Sequence, residues 1–134
     1  MKGCMKHLFT FLLFFSLGIF NIVAQINAEQ VLTIGRNVLS MDDYMLAIQY
    51  FNQAIKAKPY LADPYFFRAL AKLNLDDYSG AEADCTTALE INKFKTEAYK
   101  VRGFARQILG KDSLAVEDYN MGLEYNPIDR QFLF

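Results

Sequence analysis

The sequence is poor in the side chains on which most catalysis and metal binding depend. Its one histidine is His7, so the body of the chain has no imidazole to act as a base near neutral pH or to ligate zinc. There are two cysteines, Cys4 and Cys85, too few for a disulfide framework. Cys85, with no histidine to activate it, reads as a small core hydrophobe and not as a nucleophile. The formal net charge of -1 excludes the basic footprint that nucleic-acid binding requires. No Gly-rich phosphate loop occurs. The acidic pairs Asp42-Asp43 and Asp76-Asp77 lack calcium-loop spacing and read as helix starts, where carboxylates cap amides and meet the helix dipole. No catalytic residue, cofactor or metal is expected. What the chain has in quantity is apolar surface, 53% hydrophobic and 15% aromatic over 134 residues, ample for the core of one domain.

That apolar content is uneven. Lys2 and Lys6 precede an apolar run from Leu8 to Phe20 that reaches Ala24, the layout of a secretory signal peptide over residues 1–24 with cleavage after Ala24. The run borders on the length of a membrane span, so a retained anchor is the other reading. Met5 as the start gives a shorter leader. Removing Lys2 and Lys6 from the 14 basic residues leaves 12 against 15 acidic ones, a formal charge of -3. Cys4 is lost with them, and Cys85 then has no disulfide partner.

Beyond the leader the chain repeats itself. DDYMLA at Asp42–Ala47 returns as DDYSGA at Asp76–Ala81, 34 residues on, and other positions keep the same step. Val31, Tyr65 and Tyr99 form one series. Gly35, Ala69 and Gly103 are always small, as are Ala54, Ala88 and Gly122, while Ala47, Ala81 and Ala115 are identical. Three copies of one unit are present. Within each, apolar residues fall three and four apart in two runs broken by Asp or Gly, so each copy reads as a helix hairpin. First helices are expected near 28–41, 62–75 and 96–109, and second helices near 44–57, 78–91 and 112–125. Pro59 and Pro127 end second helices, because proline removes a donor and clashes with the preceding turn.

These phases resemble the tetratricopeptide repeat. Its pattern appears as Val31, Ile34-Gly35, Val38, Ala47, Phe51, Ala54 and Pro59 in the first copy. The second copy carries Tyr65, Arg68-Ala69, Lys72, Ala81, Cys85 and Ala88, and the third Tyr99, Arg102-Gly103, Arg106, Ala115, Tyr119, Gly122 and Pro127. The resemblance covers repeats at 28–61, 62–95 and 96–129, with residues 130–134 opening a further helix. It implies an all-α fold, a right-handed α-solenoid that binds peptides or proteins on its concave side. Glycine and alanine at 35, 69 and 103 lie where the helices of a hairpin cross, and Ala54, Ala88 and Gly122 where one hairpin meets the next.

Comparing copies exposes a pairing. Arg68 and Arg102 replace Ile34, and Asp84 and Asp118 replace Tyr50, always together. Arginines facing a hairpin interior need partners, so salt bridges Arg68–Asp84 and Arg102–Asp118 are expected, with Lys72 and Arg106 as further donors. The resemblance also assigns a groove to the outward face of the first helices: Leu32, Phe66 and Lys100; Arg36, Leu70 and Phe104; Leu39, Leu73 and Gln107. Phe66 and Phe104 are the expected anchors, and Glu29, Asp63 and Glu97 an acidic edge. Family members that clamp a terminal carboxylate need Lys and Asn where this chain has Leu32, Arg36 and Phe67. The expected function is therefore an exported, non-catalytic scaffold in the periplasm or at the cell surface of a bacterium, holding a protein or peptide partner. The alternatives are a spacer or oligomerisation unit, inner-membrane anchored if the leader stays, self-associating through an uncapped C-terminal end, or part of a longer array.

Overall fold

The computed structural model describes the backbone of residues 2–127 and the side chains of residues 3–16 and 27–127; the helix start expected at 130–134 lies outside the described residues. Among the described residues there are six helices and no strand: α1 (Lys2–Ser40), α2 (Tyr44–Ala57), α3 (Ala62–Asn74), α4 (Tyr78–Ile91), α5 (Thr96–Ile108) and α6 (Asp112–Tyr125). Helix α1 packs on α2, α3 on α4 and α5 on α6, giving three hairpins. Contacts of α2 with α3 and of α4 with α5 stack the hairpins into a solenoid. The first helix differs from the expected 28–41 by running back unbroken to Lys2. No proline interrupts residues 2–40, so the amide ladder has nothing to stop it. Among the described side chains of α1, Gly3 to Ser16 are exposed and Ala28 is the first that is buried.

The recurring DDY phrase is a turn. Asp42 and Asp76 adopt φ of 61° and 60°, and Gly110 takes the same place one repeat later at φ 73°. A left-handed residue there ends the first helix and lets the next amide reach back over the last turn. Asp43, Asp77 and Lys111 donate to the carbonyls of Val38, Lys72 and Arg106 at 3.3, 2.9 and 2.8 Å. Aspartate tolerates the left-handed region better than most residues, and here Tyr44 and Tyr78 donate to the Asp42 and Asp76 carboxylates at 2.8 and 2.7 Å. The second aspartate of each phrase caps the following helix, with Asp43 accepting from the Leu46 amide and Asp77 from the Gly80 amide. Lys111 replaces that cap in the third copy, and α6 starts without a side-chain acceptor.

Size complementarity sets the hairpin crossings. A Cβ on Gly35 would sit 2.7 Å from the Phe51 ring, and one on Gly103 2.7 Å from the Tyr119 ring. In the middle copy the slots hold Ala69 and Cys85, both fully buried and packed with Ala81 and Ala105. Glycine thus faces a ring twice, and alanine faces the small thiol once, keeping the interior filled in each copy. Ala47, Ala54 and Ala88 are also fully buried, and Ala115 and Gly122 are buried in the last hairpin.

Candidate functional site

The first helices touch one another along the stack more closely than the second helices do. The solenoid therefore curves with α1, α3 and α5 inside, and their free faces form the concave surface. Three rows cross it, each stepping once per repeat. Arg36 is exposed, Leu70 half-buried and Phe104 45% exposed. Leu39 and Leu73 are half-buried beside an exposed Gln107, and Leu32 and Lys100 flank Phe66.

Phe66 is not a free anchor. It is 7% exposed, because α4 and α5 close over it with Ala88, Leu89, Ala98 and Tyr99. Its remaining face is covered by Phe67, ring centroids 5.3 Å apart, and by the Lys95 ammonium 4.6 Å from the ring. Lys95 is itself held by Asp63 at 2.8 Å. Phe67, assigned no role as an anchor, instead joins the rows. It stacks on Phe51 at 6.0 Å and carries the Arg36 guanidinium 4.9 Å above its ring. Of the acidic edge, Asp63 is taken by Lys95, Glu29 stands 4.0 Å from Lys58, and Glu97 is exposed. A depression of about 380 Å³ opens there, lined by Glu29, Leu32, Tyr60 and Asp63 among others.

Behind the groove runs an ionic ladder. The Arg68 Nε and Nη2 donate to the two oxygens of Asp84 at 2.8 and 2.6 Å, and Lys72 adds a third contact at 2.9 Å. One repeat on, Arg102 forks onto Asp118 at 3.0 and 2.6 Å, with Arg106 at 2.9 Å. The carboxylates are 5% and 2% exposed, and among the described residues no buried side-chain polar atom lacks a partner. Each arginine also reaches the preceding hairpin, Arg68 to Asn52 at 2.7 Å and Arg102 to Thr86 at 3.1 Å. Arg106 and Lys111 add Glu82 at 2.9 and 2.6 Å. Burial alone raises the Glu82 carboxyl, yet the hydrogen bonds from Lys111 and Arg106 outweigh it and hold the group below its usual range. These cross-hairpin acceptors were not anticipated from the sequence. The signal was available, since Asn52 and Thr86 lie one repeat apart and both accept.

Known proteins share this architecture. The family model for the tetratricopeptide repeat matches residues 62–94. Human serine/threonine-protein phosphatase 5 is 33% identical over 103 residues, 77% of this chain, which spans only 21% of that protein. The first tetratricopeptide domain of Spaghetti (RPAP3), solved bound to the HSP90 peptide SRMEEVD, is 31% identical with a TM-score of 0.78, covering 80% of this chain and 85% of that one. The Arabidopsis OM64 tetratricopeptide domain superposes with a TM-score of 0.80 at 29% identity, over 82% and 91% of the two chains. With three hairpins in one phase, small residues at the crossings and a concave row of first helices, the chain belongs to the tetratricopeptide repeat family.

Proposed function

We propose that this protein is a non-catalytic scaffold whose concave groove holds a segment of a partner protein. The observation that carries this reading is the apolar set Leu70, Leu73 and Phe104 from two neighbouring rows, the leucines resting on the core beneath yet still half-exposed on the inner face and Phe104 45% exposed. Apolar surface rimmed by polar groups on a concave face is what a peptide groove requires. That the Spaghetti domain was solved with a peptide bound supports the same use of this face. The test is a pull-down with the full chain from an exported-protein fraction, run beside Phe104→Ala with helicity checked by circular dichroism. A partner held by the wild type and lost with Phe104→Ala supports the groove; equal capture refutes it.

The leader supports an exported scaffold, acting in the periplasm or at the cell surface of a bacterium. Its described side chains, Gly3 to Ser16, are exposed, and cleavage after Ala24 leaves the buried residues from Ala28 onward in the mature chain. Mass spectrometry of the secreted protein should then find an N-terminus at Gln25; an intact Met1 or Met5 in a membrane fraction would establish the anchored form instead. A second reading, end-to-end contact between copies, is favoured by the exposed Leu114 and Val116 on α6. It requires a mass that rises with concentration.

A further inference from the structure

We infer that the groove reads an internal, extended segment carrying one acidic side chain about six residues from a large apolar one, the acid at Arg36 and the apolar side chain at Phe104. This rests on the groove reading above and specifies its ligand. Arg36, Leu70 and Phe104 occupy one position of the repeat on α1, α3 and α5, so they form a single row across the concave face. The row is polarised, with a cation at one end and an exposed ring at the other. Adjacent packed helices are separated by roughly 10 Å, which puts the ends of the row about 20 Å apart. An extended chain advances about 3.3 Å per residue, so about six residues span it, and an even separation keeps both side chains on one face of the segment.

Arg36 is built to receive a carboxylate. Among the described residues no acidic group lies within salt-bridge distance of it, whereas Asp63 is committed to Lys95 and Asp84 and Asp118 to the ladder. Its guanidinium is parked on Phe67, which restricts a long side chain without neutralising it and leaves its planar edge free for two hydrogen bonds. The Lys95 ammonium lies 6.0 Å from the same Phe67 ring but is paired with Asp63 at 2.8 Å, so the cation still open to a carboxylate arriving there is Arg36. A single cation suits one side-chain carboxylate within a segment. The test is selection from a phage-displayed library of nine randomised residues flanked on both sides by Gly-Ser, so that no free C-terminus is offered. Wild-type protein is expected to enrich Asp or Glu six positions from Phe, Leu or Met, and Arg36→Glu to enrich Lys or Arg in place of the acid. Binders from the wild-type selection should lose at least tenfold in affinity for Arg36→Glu. If Phe104→Ala weakens the binders but the acidic preference is absent, or survives Arg36→Glu, the inference fails and the groove stands. If no binder is selected, or binders are indifferent to both substitutions, the groove reading fails and takes the inference with it.

Discussion

Asp118→Ala is expected to be among the most damaging single substitutions in the solenoid. The carboxylate is 2% exposed and accepts from Arg102 Nε and Nη2 and from Arg106 Nη1. Both arginine side chains are only 14% exposed. Truncation leaves Arg102 with Thr86 alone and Arg106 with Glu82 alone, two guanidinium groups out of water with their principal counter-charge gone. Breaking a buried pair from one side costs about 3 to 5 kcal/mol. Lys111→Ala removes a contact of similar length to Glu82, but Lys111 is 46% exposed, and exposed pairs contribute at most about 1 kcal/mol. Urea titration followed by far-ultraviolet circular dichroism separates the two. With a urea slope of about 2 kcal/mol/M, Asp118→Ala should move the midpoint by about 2 M and Lys111→Ala by about 0.5 M or less. Replacing the pair together, Asp118→Leu with Arg102→Met, should recover more than half of the loss, because the uncompensated charge is then gone. Midpoints shifted equally by Asp118→Ala and Lys111→Ala would refute the ladder as an element of stability.

Two further outcomes follow from the packing. Gly103→Ala gains about 1 kcal/mol of helix propensity but forces a Cβ against Tyr119, where overpacking costs about 1 to 3 kcal/mol, so in the wild type it should destabilise. In a Tyr119→Cys background, which copies the Ala69–Cys85 pairing, the same change should stabilise; denaturation midpoints moving the same way in both backgrounds would falsify the complementarity. Burial pushes the Cys85 thiol up from 9.0 to about 12, so in the native full chain only Cys4, which is exposed, should react with a disulfide reagent at pH 8. The unfolded Cys85 thiol loses its proton above about 9 while the folded one keeps it, so this group draws stability down as pH rises from 9 to 12 and contributes no pH dependence below 9. Cys85→Ala should flatten that part of the profile.

Periodicity made much of this fold legible. A 34-residue step applied to Ile34 and Tyr50 is enough to set Arg68 opposite Asp84 and Arg102 opposite Asp118, because equivalent positions in stacked hairpins share a phase. What a period cannot carry is coverage. Phe66 and Phe104 look alike in sequence, each a phenylalanine on the outward side of a first helix, yet Phe66 is in the core and Phe104 is 45% exposed. The middle hairpin has a neighbour on both sides, so α5 with Ala98 and Tyr99 closes over Phe66. Phe104 belongs to the last hairpin and sits one turn further along its helix, where no later first helix is described. The continuous α1 was hidden for a different reason. A leader is recognised by its composition, and composition says nothing about whether the helix that follows begins at the same place.

The separation of ladder and groove has a consequence for binding. Each arginine that ties its own hairpin through Asp84 or Asp118 also reaches Asn52 or Thr86 on the hairpin before, and Arg106 does the same through Glu82. The step from one hairpin to the next is therefore fixed by polar contacts of defined geometry as well as by alanine packing, which resists separation but tolerates sliding. That step sets the distance from Arg36 through Leu70 to Phe104, since all three ride on helices positioned from behind. A ligand that must engage both ends of the row senses the sum of two such steps, whereas one engaging Phe104 alone senses neither. Asn52 and Thr86 accept from Arg68 and Arg102, which lie outside the groove rows, and with Asn52→Ala and Thr86→Ala a loss of affinity confined to ligands that reach both ends would locate the effect in this spacing.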